Sequence, residues 1–272
     1  MPGGTAFYFS KAMNCFTDID YALLTAVGEA DMSVVEDLRR EGVAVDVMPS
    51  PSSVYFENIY GDNPDNRTQR VLSKANPFTL DFVREVEADI FHLGSLLADD
   101  FPKEVVEYLA GKSLVSADSQ GYLREVRDKD VFAVDWPEKH EVLRHVHFLK
   151  ANEHEMEVLT GFTDAEKAAR ELHSWGVKEV LLTFGSMGSI IFDGKEFHTI
   201  PAYVPREVAD ATGCGDTYMT GYLYRRAKND SIDEAGRFAA AMSTLKIEKM
   251  GPFQGTEEMV RRCMEKAEQK HI

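Results

Sequence analysis

The sequence has few cysteines and too little positive charge to balance its acidic residues, and each shortage excludes a class of protein. Its 272 residues include three cysteines, Cys15, Cys214 and Cys263. These are too few and too widely spaced for a disulfide framework or a zinc site, so a reducing compartment fits. Lysine and arginine number 30 against 46 acidic residues, which gives a net charge of −16. Such a chain has no basic surface that would attract nucleic acid or an anionic membrane.

Long hydrophobic runs are missing as well. No segment approaches the roughly 20 apolar residues that cross a bilayer, and the N-terminus lacks the basic and apolar regions of a secretion signal. Hydrophobic residues still make up 44% of the chain, which is enough for a large folded core. We therefore predict a cytoplasmic protein of enzyme size with no nucleic-acid and no membrane partner.

Apolar, strand-like segments alternate along the chain with segments of helical period. The predicted strands are "YALLTAV" (21–27), "DIFHLG" (89–94), "SLVSAD" (113–118), "VHFLKAN" (146–152) and "EVLLTFG" (179–185). This alternation predicts an α/β fold with three layers, a doubly wound and mostly parallel sheet covered by helices on both faces. Ligands of such sheets bind beyond the carboxyl ends of the strands. Several predicted strands end there in a small or polar residue: Gly94, Asp118, Asn152 and Gly185.

Residues 43–75 interrupt the alternation. Strand-like pieces flank the turn-rich segment "GDNPDNR" (61–67), and no helical period is present. We predict a small β lid at 43–75, with residues 1–42 and 76–272 forming the α/β core. An ordinary surface hairpin is the alternative.

One glycine-rich loop suggests chemistry. In "ADATGCGDTYMTGYLY" (209–224), Gly213, Cys214 and Gly215 lead to Asp216, where a helix is predicted to begin. Successive backbone N–H groups and the positive end of a helix dipole would converge there on an anion. A carboxylate beside an anion is useful if it accepts a proton from a hydroxyl, which is what phosphoryl transfer to an alcohol requires. The alternative is a tight turn with a helix cap.

Other glycine-rich phosphate sites fit this loop less well. A Walker A loop has a lysine after its last glycine, and none follows Gly215. A dinucleotide-binding fingerprint needs a third glycine where Tyr218 stands. A dinucleotide-dependent oxidoreductase is therefore disfavoured, and a kinase that acts on a hydroxyl is the leading hypothesis.

Four segments in sequence order resemble motifs of the ribokinase-like (PfkB) family of carbohydrate kinases. They are "PGGTAFYFSKAM" (2–13), "KANEHEMEVLTG" (150–161), "LLTFGSMGSIIF" (181–192) and "DATGCGD" (210–216). The resemblance implies a ribokinase-like fold and an enzyme that uses ATP and Mg²⁺ to phosphorylate a hydroxyl of a small sugar, polyol or nucleoside. The alternative is a protein of the same fold that binds nucleotide or sugar without turnover.

The resemblance also assigns roles to single residues. It implies that Asp216 is the catalytic base and that the backbone amides of Gly213, Cys214 and Gly215 form the anion hole. Asn152 and Glu155 match the pair that places the phosphates and Mg²⁺, with Glu155 acting on the metal through water. Residues 152–155 also fit a helix-capping box, and both readings can hold at once.

Further matches concern the two substrates. The ATP-binding turn matches at Thr183, Gly185, Ser186 and Gly188, where a plain β-turn is the alternative. For the sugar-like substrate, the resemblance points to four residues: Gly3, Gly4, Tyr8 and Asp118. It also implies a homodimer that pairs through the lid, since an uncovered strand edge in "VYFENIY" (54–60) invites pairing.

Some positions depart from the family pattern. Tyr8 stands where relatives have an asparagine, and "DSQGYLR" (118–124) replaces a common Asp-Pro-Asn segment. Cys214 replaces the usual alanine. Relatives carry a strand before the double glycine, whereas this chain opens "MPGG". The resemblance therefore implies either a shortened sequence or a sheet that lacks a strand near its middle.

Overall fold

The computed structural model describes residues 2–60 and 67–268, which form an α/β fold. Its strands are β1 (Ala22–Val27), β2 (Ala44–Pro49), β3 (Tyr55–Tyr60), β4 (Arg67–Ser73), β5 (Ile90–Leu93), β6 (Leu114–Asp118), β7 (Arg124–Arg127), β8 (Asp130–Ala133), β9 (Phe148–Asn152), β10 (Glu179–Thr183), β11 (Ser189–Phe192) and β12 (Phe197–Ile200). Its helices are α1 (Gly4–Met13), α2 (Met32–Arg40), α3 (Leu80–Val83), α4 (Lys103–Lys112), α5 (Lys139–Leu143), α6 (Glu153–Thr160), α7 (Ala165–Ser174), α8 (Cys214–Ala227), α9 (Ile232–Ile247) and α10 (Glu257–Glu268).

The main sheet has six strands in the order β12-β11-β10-β9-β6-β5. Strands β5, β6, β9 and β10 are parallel, and β11 and β12 add an antiparallel edge. A separate parallel pair contains β1 and β2. All five segments predicted as strands are strands, and the prediction of a doubly wound, mostly parallel α/β sheet is confirmed.

Helices cover both faces of the main sheet. One apolar core lies among α4, α6, α7 and the sheet, and a second lies among α1, α8, α9 and the opposite face. The inner strands read as continuous apolar runs because both faces are buried. Helix α8 approaches α9 closely, since a methyl group on Gly221 would lie 3.0 Å from the Cα of Ala239. This close packing fixes the N-terminal end of α8 over the sheet.

A four-stranded antiparallel sheet has the order β3-β4-β8-β7. Its composition differs from the predicted lid at 43–75, because β7 and β8 come from residues 124–133 and β2 pairs with β1 instead. The turn between β7 and β8 uses Asp128 and Lys129 at positive φ (49° and 76°), without the glycine that signals such a hairpin in a sequence. Of the predicted turn 61–67, residues 61–66 lie outside the described residues. The division into core and lid stays a prediction.

Within residues 2–60 and 67–268, no helix is both long enough and apolar enough to span a bilayer.

Candidate active site

The predicted site residues meet where parallel strands end and helices begin. Thr183, the last residue of β10, pairs across the ladder with Asn152, the last residue of β9. Asp118, the last residue of β6, pairs with Lys150 on the other side of β9. The carboxyl ends of three strands therefore form one edge, as parallel sheets require, and α6 and α8 begin above it.

Helix α8 begins at Cys214, two residues earlier than predicted, with Gly213 as its N-cap. Gly213 has φ 76°, a left-handed conformation that side chains other than glycine rarely adopt. A methyl group there would also lie 2.2 Å from Cδ1 of Tyr8. Both constraints require glycine, and Asp216 consequently occupies the third position of the helix.

The backbone amides at this helix end differ in part from the predicted set. The Cys214 N–H donates to the carbonyl of Ala211 over 3.2 Å, so it is not available to a ligand in this arrangement. The N–H groups of Gly213, Gly215 and Asp216 have no acceptor among residues 2–60 and 67–268. These three N–H groups are thus the backbone donors that lack an intrahelical acceptor at the N-terminus of any helix. Burial raises the pKa of the Cys214 thiol to about 11, so this cysteine carries no thiolate at neutral pH.

Asp216 has the acid–base properties of a general base. Burial, together with the negative charge of Asp118, raises its pKa from 3.8 to about 6. A hydrogen bond with Thr5 and the positive charges of Lys150 and Arg124 limit the rise. The carboxylate is therefore ionised at neutral pH but more basic than an ordinary aspartate, which suits proton transfer.

Lys150 is a buried cation beneath the α8 loop that sequence reasoning did not assign. Its Nζ lies 2.6 Å from Oδ2 of Asp118, and a methyl group on Gly215 would lie 3.2 Å from that Nζ. Burial acts to lower the pKa of Lys150, but the carboxylates of Asp118 and Glu155 outweigh it and raise this pKa. Lys150 is therefore charged and adds to the positive field at the N-terminus of α8. The feature of the sequence that could have identified it is a lysine within a strand whose neighbouring residues are apolar.

Asn152 and Glu155 form a complete capping box at the start of α6. The Asn152 side chain accepts from the Glu155 N–H over 2.9 Å, and Glu155 accepts from the Asn152 N–H over 2.8 Å. Glu155 also accepts from Nδ2 of Asn152 and from Oγ of Ser119, at 2.7 and 3.0 Å. Burial raises the pKa of Glu155, whereas Lys150 acts in the opposite direction. The capping interpretation is therefore correct, and a further role for this pair stays a prediction.

Glu155 is suited to hold Mg²⁺ through water and unsuited to bind it directly. It is 6% exposed, and both carboxylate oxygens already accept hydrogen bonds. In the described part of the chain, no three acidic, histidine or cysteine side chains are grouped so that they could hold a metal ion. Mg²⁺ commonly keeps several waters and binds substrate phosphates, so a water-mediated contact fits these residues.

A second buried lysine anchors the loop that precedes α8. The Lys246 Nζ donates to the carbonyl oxygen and to Oδ2 of Asp210, at 2.7 and 3.1 Å. Burial acts to raise the pKa of Asp210, but hydrogen bonds from Thr212 and Lys246 outweigh it and hold this pKa at about 2. Asp210 therefore stays ionised and fixes the loop that carries Gly213.

The predicted nucleotide turn connects β10 and β11. Gly185 and Ser186 are exposed in a short 3₁₀ turn, and Thr183 is half-buried at the end of β10. Gly188 has φ 95°, and a methyl group there would lie 2.2 Å from the carbonyl oxygen of Ile200. Glycine at 188 is thus required by the packing of the hairpin, and its contact with a nucleotide stays a prediction.

The four residues predicted to bind the acceptor fall into two groups. Gly3 caps α1 and Gly4 begins it with φ 74°; the next residue, Thr5, reaches Asp216. Tyr8 is 3% exposed with its ring against Gly213, and Asp118 is 6% exposed and paired with Lys150. The latter two support the α8 loop and Lys150, and their direct contact with a substrate stays a prediction.

Arg124 on β7 is a further site residue that sequence reasoning missed. Its guanidinium stacks on the ring of Phe56 at 5.5 Å, and its charge acts on Asp216. Arg127, three residues along the same strand, points to the other face and lies over Phe132. We call the face of the four-stranded sheet that carries Arg124 its inner face. Through Arg124, this inner face of the small sheet brings a positive charge to Asp216. The segment "DSQGYLR" departs from the family pattern, but only the β7–β8 hairpin determines where its arginine lies.

Comparisons with known proteins identify the family of the chain. Residues 4–259 match the family described as pfkB family carbohydrate kinase. A cytidine kinase from Thermococcus kodakarensis is 28% identical over 171 residues, which are 62% of this chain and 58% of that protein. An uncharacterized sugar kinase from Archaeoglobus fulgidus is 27% identical over 251 residues, which are 87% of this chain and 95% of that protein.

A solved structure is similar over nearly the whole chain. It is a pyrophosphate-dependent kinase in the ribokinase family, complexed with a pyrophosphate analogue and myo-inositol. The sequences are 29% identical, the TM-score is 0.85, and the match covers 96% of this chain and 91% of that one. By contrast, the chain spans less than two thirds of the length of the cytidine kinase.

Proposed function

Since the chain belongs to the PfkB family of carbohydrate kinases, we propose that it transfers the γ-phosphoryl group of ATP to a hydroxyl of a small sugar, polyol or nucleoside. The observation that carries this proposal is the position of Asp216, a carboxylate with a pKa of about 6 beside open N–H donors at the start of α8. A base for the acceptor hydroxyl and donors for the moving phosphoryl group are then adjacent. Phosphoryl transfer depends on this combination.

In the proposed reaction, Asp216 takes the proton of the acceptor hydroxyl while that oxygen bonds to the terminal phosphorus. The bond between this phosphorus and the bridging oxygen of the donor breaks, and ADP leaves. The N–H groups of Gly213 and Gly215, the positive end of α8 and the Lys150 ammonium stabilise the negative charge that moves between the two oxygens. Because these groups are fixed by buried contacts, little reorganisation is needed at the moment of transfer.

Bound Mg²⁺ would neutralise phosphate charge, and Glu155 and Asn152 would hold it through water. Thr183, Gly185, Ser186 and Gly188 would bind the donor at the turn after β10. Exposed apolar side chains on two adjoining segments favour a donor with an aromatic base: Val204, Val208 and Met250 are 88%, 70% and 73% exposed. Their segments are joined where the Ala209 N–H donates to the carbonyl of Ile247 over 2.8 Å.

Pyrophosphate is a second candidate donor. The structural neighbour with a TM-score of 0.85 is a pyrophosphate-dependent kinase, whereas the exposed apolar side chains of Val204, Val208 and Met250 favour a nucleotide. Substitutions at Val204 and Met250 should distinguish the two donors. Their replacement by serine should raise the KM for ATP and leave the KM for pyrophosphate unchanged.

The acceptor binds between Asp216 and the inner face of the small sheet in this proposal. Gly3, Gly4 and Thr5 bring the N-terminus of α1 to the base, and Arg124 brings a cation from β7. A small polar molecule with several hydroxyls fits this set of donors and acceptors. The four-stranded sheet then serves as a lid on the remaining α/β core.

The test is a product assay with the purified chain and Mg²⁺. ATP or pyrophosphate is combined with myo-inositol, ribose, fructose, cytidine and other nucleosides, and phosphorylated products are identified by phosphorus NMR and mass spectrometry. We expect a phosphate monoester from at least one acceptor. If no acceptor is phosphorylated with either donor, while calorimetry detects binding of a donor and an acceptor, the non-catalytic binding protein is the correct alternative.

We also propose that two copies of the chain pair through the four-stranded sheet, which carries exposed apolar side chains. Four large apolar residues on its strands are between 38% and 56% exposed: Tyr55, Ile59, Leu72 and Phe132. Contiguous exposed apolar surface commonly marks an interaction site. Analytical ultracentrifugation should report a dimer, and Tyr55→Ser combined with Phe132→Ser should shift it to monomer.

A further inference from the structure

The segment that departs from the family pattern, "DSQGYLR" (118–124), places a hydroxyl against the carboxylate of Glu155. Ser119 follows the last residue of β6 and is fully buried, and its Oγ lies 3.0 Å from Oε2 of Glu155. Glu155 is the third residue of α6, which begins directly after the adjacent strand β9. Relatives commonly have proline at the position of Ser119, and proline has no side-chain donor. The family resemblance therefore does not imply this contact.

The backbone around Ser119 is held in place from two sides. The Ser119 N–H donates to the carbonyl of Lys150 over 3.0 Å, which continues the hydrogen bonding between β6 and β9 beyond their last paired residues. Two residues later, a methyl group on Gly121 would lie 2.4 Å from the backbone of Ser95, so the turn after Ser119 packs tightly against its neighbour. The hydroxyl thus reaches Glu155 from a fixed position.

The two carboxylate oxygens of Glu155 have different numbers of hydrogen-bond donors. Oε2 accepts from the Asn152 N–H over 2.8 Å and from Oγ of Ser119 over 3.0 Å. Oε1 accepts from Nδ2 of Asn152 over 2.7 Å, and no second donor within residues 2–60 and 67–268 reaches it. A carboxylate oxygen has two lone pairs, so Oε2 is filled whereas Oε1 can accept one more hydrogen bond. The Ser119 hydroxyl therefore determines which oxygen stays open.

A single open oxygen matters for a contact that is made through water. Mg²⁺ in proteins commonly keeps several waters and binds substrate phosphates. Such a water donates a hydrogen bond to Glu155 only where a lone pair is free. Groups that hydrogen-bond to a carboxylate near a metal fix its orientation and commonly affect metal affinity. Without the Ser119 hydroxyl, Oε2 would be open as well, and the carboxylate could receive water at either oxygen.

We propose that Ser119 is a positioning residue: together with the Asn152 N–H it occupies Oε2 of Glu155 and leaves Oε1 as the oxygen that receives water bound to Mg²⁺. This inference rests on the proposed function, in which Glu155 holds Mg²⁺ through water. A hydroxyl that only satisfied a buried carboxylate would contribute to stability and would leave the binding of Mg²⁺ unchanged. The two roles are therefore separable by experiment.

The test removes the hydroxyl and measures metal binding directly. Mg²⁺ is titrated by calorimetry into the full chain in the presence of excess non-hydrolysable ATP analogue, and in a second series with methylenediphosphonate in place of pyrophosphate. We expect Ser119→Ala to weaken Mg²⁺ binding by about tenfold, the lower end of the effect that loss of such a partner typically has. The Mg²⁺ concentration that gives half-maximal turnover should rise by the same factor.

Ser116→Ala is the matched control. Ser116 lies on β6 three residues before Ser119, is equally buried, and makes one hydrogen bond of the same length, 3.0 Å, with Nδ1 of His92. Each variant loses one buried hydroxyl, so thermal denaturation should show similar losses of Tm. Ser116→Ala should nevertheless bind Mg²⁺ as tightly as the wild type. An equal loss of Mg²⁺ affinity in the two variants would overturn the inference.

A double-mutant cycle with Glu155→Gln tests whether Ser119 acts through Glu155. If it does, Ser119→Ala should leave Mg²⁺ affinity unchanged when Glu155→Gln is already present. Wild-type Mg²⁺ affinity in Ser119→Ala would overturn the inference, and so would an equal loss with and without Glu155→Gln. Failure of the proposed function would give a different result, because the wild-type chain would then bind the analogues equally well with and without Mg²⁺. That result would overturn the metal-holding role of Glu155 and the inference together.

Discussion

The Nζ atom of Lys150 lies 2.6 Å from Oδ2 of Asp118, and both side chains are buried on adjacent strands. Burial acts to raise the pKa of Asp118, but Lys150 outweighs it and holds this pKa below its ordinary value. The pair is therefore ionised within the core. Its charge lies directly below Gly215, so a structural ion pair and the proposed anion site share one cation.

Replacing Lys150 with methionine should destabilise the protein strongly. The carboxylates of Asp118 and Glu155 would remain buried without their cation, and breaking a buried pair in this way costs about 3–5 kcal/mol. Adding Asp118→Asn to Lys150→Met removes one of these charges and should restore part of the stability. Urea denaturation of both variants measures this. Equal stability of the single and the double variant would contradict the proposed coupling, and turnover should stay low in both.

Replacing Asp216 with asparagine should remove catalysis without unfolding the protein. Loss of a general base typically lowers turnover by about 10²–10⁴-fold, and asparagine preserves the shape of the side chain. The measurement is kcat with an accepted donor and acceptor, and circular dichroism checks the fold. Asp81→Asn, at an exposed position on α3, is the control and should retain full activity. Near wild-type kcat in Asp216→Asn would show that another group accepts the proton.

The same substitution should stabilise the protein in a pH-dependent way. The pKa of Asp216 is about 6 when folded, against 3.8 as the ordinary value, so the folded state binds this proton more tightly. The stabilisation that the protonated Asp216 carboxyl gives to the folded state is fully present below about pH 4 and is lost as pH rises through 6. At pH 8 the variant should therefore be more stable than the wild type by about 1–3 kcal/mol, and at pH 4 the difference should vanish. Thermal denaturation at the two pH values tests this, and an equal Tm difference at both would contradict it.

The main sheet could be predicted from the sequence because the apolar pattern of each strand lies within one short segment. Four of the five predicted apolar segments are strands of the main sheet and the fifth is β1, and the small or polar ends of the four lie at one edge because parallel strands share a direction. Lys150 and Arg124 were missed for different reasons. A lysine in a buried strand is noticed only when its carboxylate partners on neighbouring elements are known. Arg124 acts from a hairpin whose turn, at Asp128 and Lys129, has no glycine to mark it. The start of α8 was placed two residues late because Gly213 acts as a cap through its backbone alone.

Gly213 should be less tolerant of alanine than another glycine with the same backbone conformation. Gly161, which ends α6, has φ 75° and open space around it, whereas Gly213 has φ 76° and faces the ring of Tyr8. Alanine at 161 should cost about 1–2 kcal/mol from backbone strain alone. Alanine at 213 should cost more, because the Tyr8 ring or the loop must also move, and it should lower kcat. Denaturant unfolding of the two variants gives the comparison, and equal losses would mean that the ring moves aside freely.

Arg124 should set both the affinity for the acceptor and the pH dependence of the reaction. With Asp216 as the proposed base, activity requires its ionised form, so kcat/KM of the wild type should rise with pH up to about 6 and then level off. The charge of Arg124 lowers the pKa of Asp216, and Arg124→Gln should therefore move this acidic limb to higher pH. Loss of a charged hydrogen-bond donor should also raise the acceptor KM by about tenfold. Arg127→Gln, on the outer face of the same strand and 59% exposed, is the matched control and should change neither quantity. An identical pH profile for both variants would mean that the inner face of the small sheet does not act on the base. A shift found only in Arg124→Gln would mean that the position of this sheet affects the pKa of Asp216 and so the proton transfer.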